Sequence, residues 1–472
     1  MHTSATQQAT PAIAPGSNHD SDGLPKPARA AAMLSIAIGV GMASLDTAIC
    51  NTALPAMALQ LHASAANTVW IVSAYQLAMI ATLLPLAALS EIVGYRRTFL
   101  AGLALFTLAS LACAAATSLP LLVAARLVQG LGGSAIMSVN GALLRTIYPA
   151  RQLGRGFGTN ALIVAIAFSI GPSLASLILS MGSWRWLFAM NLPLGFAALW
   201  VGRRVLPQLA MRATQVDPLT ALFCIGALGL LMLGLDEVAH AAPAARQMSE
   251  LGIGMLLLVA LLRREAGRTA PMLPVDLFRL PLFSLSSITA VLTFTTQGLA
   301  FVGLPFYFEM TLGRAPIETG FLMTPWAVAV GCMAPLAGRL SDRYASGILG
   351  GIGLAILALG LVTLLWLPVP TSAWQIGTRM ALCGVGFGFF QAPNLKAIMA
   401  SAPPHRSGGA SGIVATARLT GQAIGTALVA LCLTQFAQRG PSTTLMLAAL
   451  CAGLGSLVSF SRLLVVPSSA GQ

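Results

Sequence analysis

Asp46 and Arg126 are the two residues of this 472-residue chain whose chemistry fits their surroundings least. Asp46 lies in Leu45-Asp46-Thr47-Ala48-Ile49-Cys50-Asn51-Thr52-Ala53-Leu54-Pro55, inside an apolar run that begins near Ala31 and holds no other charge before Pro55. A carboxylate within hydrocarbon costs roughly 2.5–3.5 kcal/mol on insertion scales. Such a group is neutralised, paired, or turned toward a water-filled cavity. One reading is that Asp46 merely ties two helices together; the sharper one is a group whose protonation belongs to a transport cycle. Arg126, in a later apolar run, is at least as costly to leave alone.

Depth along the two runs pairs them. Asp46 is about 15 residues from the inner start of its run, roughly 22 Å along a helix at ~1.5 Å per residue. Arg126 is about six residues from the outer start of its own run, roughly 9 Å along it. In a hydrocarbon core of about 30 Å the two are level, and we expect them to interact directly or through water.

No other residue pattern offers competing chemistry. Of the thirteen acids, eleven fall in the tail or between apolar runs. Glu309 ends a run after Phe306-Tyr307-Phe308, where an acid is ordinarily solvated but could reach the outer mouth of a cavity. There is no GxxxxGK[ST] loop, no HExxH and no pair of carboxylates within one span. The seven cysteines stand singly in apolar runs and read as reduced packing residues. We therefore expect no enzyme, no metal and no cofactor.

The elements that must position these residues follow from composition. With 57% hydrophobic and 8% charged residues and a mean hydropathy of +0.83, the chain is a polytopic membrane protein whose partner is the lipid bilayer. Its net charge of +13 does not imply nucleic acid, because the basic residues cluster between apolar runs rather than along one face. Residues 1–30 form a Ser-, Ala-, Pro- and Gly-containing tail, expected to be disordered. About fourteen helices of spanning length follow, near 31–53, 67–89, 98–117, 120–142, 157–181, 187–206, 218–236, 249–262, 283–308, 317–338, 347–368, 374–395, 409–434 and 443–465.

With the amino terminus inside, nineteen of the 26 basic residues lie in inner segments. Four (Arg185, Arg246, Arg314, Arg439) lie outside and three (Arg126, Arg379, Arg418) within spans. That split predicts an even span count and both termini cytoplasmic. Features also recur eight spans apart. Ser90-Glu91 before Arg96-Arg97 resembles Ser341-Asp342-Arg343; Arg126 with Gly130, Gly132 and Gly133 resembles Arg379 with Gly384, Gly386 and Gly388. Arg155 to Gly171 resembles Arg406 to Gly421. This implies an all-α protein of two six-helix halves, 31–206 and 266–465, with a linker and two inserted helices at 207–265 and a second cytoplasmic tail at 466–472. Two parallel six-span repeats are the architecture of a major facilitator transporter.

The motifs extend that likeness. The segment from Leu45 to Pro55, Trp70-Ile71-Val72-Ser73-Ala74-Tyr75, and Ser183-Trp184-Arg185-Trp186-Leu187-Phe188 with Asn191-Leu192-Pro193-Leu194-Gly195 resemble, in order, signatures of the fourteen-span drug:proton antiporter branch of the major facilitator superfamily. Arg126 with Gln129-Gly130 resembles its fourth-span motif, and Gly171-Pro172 the centre of its antiporter motif. Family glycines around Gly171 are replaced here by Ala167, Ala175 and Ser176. The segment Ala87 to Arg97 resembles the superfamily loop motif, with Ala87 in place of glycine and Glu91 in place of aspartate.

The resemblance implies proton-coupled export of hydrophobic or amphipathic small molecules across a bacterial inner membrane, with Asp46 and Arg126 in proton coupling. Glu91, Arg96, Arg97, Asp342, Arg343, Gly171 and Pro172 would form the conformational switch. Asn51, Tyr75, Gln129, Phe301, Glu309, Trp326, Phe387 and Phe390 are expected to line the substrate cavity. Aromatics suit flat hydrophobic ligands; with Asp46 committed to protons, neutral or monocationic substrates are expected and dications poorly carried. A dedicated exporter of one metabolite or self-made antibiotic is the alternative. A periplasmic adaptor and outer-membrane channel are left open.

Overall fold

Proline and glycine punctuate a chain that is otherwise helical. The computed structural model describes residues 23–149, 152–208, 217–239, 243–266, 275–368, 371–402, 407–436 and 439–464. Most of the expected amino-terminal tail, the tail at 466–472, and Arg151, Arg212, Arg268 and Arg406 lie outside the described residues. The first part comprises α1 (Lys26–Gln60), a short α2 (Ala65–Thr68), α3 (Trp70–Val93), α4 (Tyr95–Ala115), α5 (Leu119–Ile147), α6 (Leu153–Ser180), α7 (Arg185–Ala189) and α8 (Asn191–Val205). A hairpin follows, α9 (Pro218–Ala239) and α10 (Ala244–Glu265). The last part holds α11 (Pro281–Phe306), α12 (Pro316–Leu340), α13 (Ser346–Leu365), α14 (Ala373–Ser401), α15 (Ser407–Gln435) and α16 (Gly440–Ser461).

Pro25, Pro120, Pro281, Pro316 and Pro441 stand at or beside helix starts, where a missing N–H leaves no hydrogen bond unmade. Gly94 ends α3 with φ 99°, a backbone angle that strains any residue with a Cβ, and so lets α4 reverse direction at once.

Twelve of the described helices are long and apolar enough to cross a membrane. Two of the expected fourteen spans are not among them. The segment expected at 187–206 is broken at Met190 into the 5-residue α7 and 15-residue α8, too short at ~1.5 Å per residue for a ~30 Å core. Helix α14 has 29 residues but carries Arg379, Lys396 and several polar side chains.

The same pairings recur before and after the hairpin. Helix α3 packs on α5, α4 on α5, α1 on α6 and α8, and α4 on α8; correspondingly α12 packs on α14, α13 on α14, α11 on α15 and α16, and α13 on α16. Glycines permit the closest of these contacts. A Cβ on Gly130 would meet the Tyr75 backbone at 2.5 Å and one on Gly384 the Trp326 backbone at 2.1 Å. Gly132 lies equally close to the Phe106 backbone and Gly386 to that of Leu357. The hairpin leans on both parts, through α9 against α3 and α15.

The parts before and after the hairpin touch through α6 and α12, α1 and α11, and α3 and α15. Ser176 Oγ donates to the Pro316 carbonyl at 3.0 Å, Ser173 and Thr324 share a hydrogen bond, and Gly320 sits against the Pro172 carbonyl so closely that a Cβ would come within 2.1 Å.

Candidate functional site

Asp46 and Arg126 meet directly, in an ion pair with no solvent exposure on either side chain. Four helices build the site, α1 supplying Asp46, α4 Ser110, α5 Arg126 and Gln129, and α8 Asn191. Arg126 Nη1 donates to Asp46 Oδ2. Gln129 Nε2 donates to Oδ1 at 2.9 Å and Asn191 Nδ2 to the same atom at 3.1 Å. Ser110 Oγ accepts from both amides, at 2.9 and 3.3 Å, and donates to the Phe106 carbonyl at 2.8 Å. Arg126 also donates Nε to the Ile71 carbonyl at 3.0 Å and Nη1 to Gln129 Oε1 at 2.7 Å.

The guanidinium is sandwiched by rings, 4.3 Å from the centroid of Tyr75 and 5.6 Å from that of Phe188, an arrangement that compensates for lost hydration. Arg126 Nη2 and Asn191 Oδ1 are buried without a partner. Removing one member of a buried, hydrogen-bonded pair typically costs about 3–5 kcal/mol, because the other is left charged and dry. The cluster can therefore hold a carboxylate ionised away from water, and any proton delivered to Asp46 unbalances Arg126. Arg379, the recurrent counterpart of Arg126, donates only within its own helix, to the Gln375 carbonyl at 2.8 Å. Among the described residues, the carboxylate–guanidinium pair has no counterpart at Arg379.

Asn191, Ser110 and Phe188 were not marked by the sequence as site residues. The signal available was the Trp184 to Gly195 segment, whose break at Met190 aims Asn191 inward at the start of α8. Gly171 is placed beside the site: its Cβ would come within 2.4 Å of the Ala48 side chain, two residues from Asp46. Pro172 follows at the contact with Gly320, so this pair lies where α6 touches α1 on one side and α12 on the other.

The other expected switch residues are not brought together in the same way. Glu91 and Arg97 are exposed, and among the described residues Glu91 makes no ion pair with either arginine. Arg96 instead donates to the Arg203 carbonyl at the end of α8. Asp342 pairs with Lys396 at 2.6 Å on an exposed surface, while Arg343 is exposed.

Three expected cavity aromatics form one cluster. Phe301 meets Trp326 edge-on at 5.3 Å, and Trp326 lies 6.5 Å from Phe387. Phe390 is buried elsewhere, against Gly350 and Gly353 of α13. Trp326 Nε1, Asn51 Oδ1 and Glu309 Oε1 are buried without partners, Glu309 in the single π-turn Tyr307–Thr311 that follows α11. Tyr75 belongs to two neighbourhoods. One is the Arg126 site; the other is a small cavity between the halves of about 20 Å³, lined by Ser44, Thr47, Tyr75, Gln76, Met79 and, from α15, Arg418 and Gln422.

The family model described as Major Facilitator Superfamily matches residues 36–426. The chain is 48% identical over 444 residues to a protein of Escherichia coli (strain K12) named "Uncharacterized transporter YebQ", covering 94% of this chain and 97% of that one. It is 28% identical to "Riboflavin transporter RibZ" of Clostridioides difficile (strain 630), over 84% of this chain and 86% of that one. It is 30% identical to "Multidrug resistance protein Stp" of Mycobacterium tuberculosis (strain CDC 1551 / Oshkosh), over 84% and 74% respectively.

Proposed function

The chain belongs to the Major Facilitator Superfamily, and on that premise we propose that it is a proton-coupled secondary transporter that exports hydrophobic or amphipathic small molecules. Membership makes it an all-helical, multi-pass membrane transporter rather than an enzyme. The observation that carries the finer reading is Asp46, buried in mid-span with Arg126, Gln129 and Asn191 as its donors. Among the described residues the other buried acids, Glu237 and Glu265, sit at helix ends.

In this reading Asp46 takes a proton from the outer side and yields it to the inner side, while substrate moves the other way. Protonation cancels the charge that holds Arg126, so the α1, α4, α5 and α8 contacts weaken together and the halves rearrange at the Gly171-Pro172 crossing. Ionisation restores the pair. Fourteen spans, counting α7 with α8 as one and α14 as another, with both termini in the cytoplasm of an inner membrane, accord with the basic-residue split. Two six-helix repeats are supported by the recurrent pairings and by the matched glycines. A relative named for multidrug resistance favours broad substrates; one named for riboflavin favours the dedicated alternative.

The deciding experiment is export of amphipathic dyes by everted vesicles with and without a proton gradient. Uptake that depends on the gradient and is lost in Asp46→Asn is expected. Gradient-independent uptake, or an Asn variant as active as the parent, refutes the mechanism.

A further inference from the structure

The cavity between the two parts holds an arginine, Arg418, that has no ion-pair partner among the described residues. Arg418 projects from α15 toward α1 and α3, and among the described residues it has neither a carboxylate nor a hydrogen-bond partner. It is the one charged side chain of those lining the cavity. Two more side chains there are unsatisfied: Ser44 and Gln76 are each 3% exposed, and Ser44 Oγ and Gln76 Oε1 have no partner. Gln422, one turn beyond Arg418, donates to Gln297 Oε1 at 3.0 Å. Asp46 is already taken by three donors, one of them the guanidinium stacked on the Tyr75 ring.

A guanidinium without an acid partner and an open hydroxyl match an oxyanion attached to a molecule with an apolar body, while Gln76 Oε1, an acceptor, is left for a donor elsewhere on the ligand. A lone arginine within a span is costly unless a ligand or water completes it, and its planar fork suits carboxylate or sulfonate groups in particular. At about 20 Å³ the cavity has room for a single water, so a substrate enters only when the halves part. We infer that Arg418 is the substrate-binding residue for an acidic amphiphile, holding its carboxylate or sulfonate between α15 and the α1–α3 face. This deepens the transport reading and rests on it. It also replaces the expectation of monocationic substrates, which took no account of Arg418, while keeping the exclusion of dications.

Tyr75 gives the site a connection to coupling. Its ring is stacked on Arg126 and its side chain lines the Arg418 cavity, so a ligand seated on Arg418 presses on the group that holds Asp46.

The test is binding without any gradient, so that it stands apart from the export assay. Full-length protein in phosphatidylcholine nanodiscs is titrated with dansylglycine and rhodamine 110, and with their methyl esters. The free acids are expected to bind at least about 10-fold more tightly than the esters, the scale of a lost hydrogen bond to a charged group. Arg418→Gln should erase that preference, and Arg418→Lys should keep part of it. Esters binding as tightly as acids, a preference that survives Arg418→Gln, or the absence of binding by either acid overturns the assignment. So does binding of phosphatidylglycerol alone, which would give the arginine to lipid headgroups. If the acids bind as expected but no gradient-driven export is found, the coupling reading fails and the binding site stands.

Discussion

Arg126 lies face-on to Tyr75, its guanidinium 4.3 Å from the ring centroid, and that tyrosine separates a fully paired carboxylate from the cavity between the two halves. A Cβ on Gly133 would lie 2.7 Å from the Tyr75 hydroxyl, so α5 leaves the ring little room to withdraw. Movement of Tyr75 therefore alters the packing of Arg126, and with it the ion pair.

Asp46→Asn should abolish gradient-driven export while the protein still inserts and still exchanges substrate down its own gradient. Asparagine keeps the shape and the hydrogen bonds to Gln129 and Asn191 but fixes a neutral side chain. Proton release on addition of substrate to vesicles, as large as in the parent, would contradict it.

Arg126→Ala should inactivate transport and lower stability by about 3–5 kcal/mol, because Asp46 is left dry and unpaired. Arg126→Lys should also be severely impaired. A single ammonium cannot reproduce the Nε bond to the Ile71 carbonyl together with the Nη1 bonds to Asp46 and Gln129. Thermal melts in detergent, with Asp46→Asn/Arg126→Ala as the double variant, check this. Less-than-additive destabilisation is expected from a direct pair.

Asn191→Leu should cost about 1.5–3 kcal/mol, the worth of one hydrogen bond to a charged acceptor, and reduce export without changing membrane insertion. Asn191→Asp should be worse, since a second carboxylate would face Asp46 at hydrogen-bond distance with only Arg126 beside them. The order parent, Leu, Asp in export rate is the readout.

Gly320→Val should wedge the seam between α6 and α12 apart, because even a Cβ comes within 2.1 Å of the Pro172 carbonyl and 2.0 Å of Ser176 Oγ. A cysteine at Thr324, which faces Ser173 across that seam, should then react with a membrane-impermeant maleimide several-fold faster in intact cells. Equal rates with and without Gly320→Val would show that this contact does not close the outer face.

Reporter fusions give the span count. Fusions after Leu206 and after Glu265 should report cytoplasmic, and a fusion after Pro243 periplasmic, if α9 and α10 form a spanning hairpin and α7 with α8 crosses once. Leu206 and Glu265 on opposite sides would remove the fourteen-span arrangement.

The sequence by itself determined that this is a helical membrane protein, which residues lie at which depth, and that Asp46 and Arg126 are level. Those conclusions follow from one dimension, the axial rise of about 1.5 Å per residue, and from where the charges interrupt the apolar runs. The azimuth around each helix was not legible. A span that is apolar on all sides carries no stripe to say which face meets which neighbour, so Phe390 was grouped with Phe387 although it packs against α13 instead. Glu91, expected in the conformational switch, is exposed at a helix end, where water competes with any pair. Asn191 entered the site because α7 and α8 break at Met190, a bend no spacing rule marks. Arg418 lies beside Tyr75 and Gln76 from 343 and 342 residues away in the chain. Only the packing of α15 against α3 could put that charge beside them.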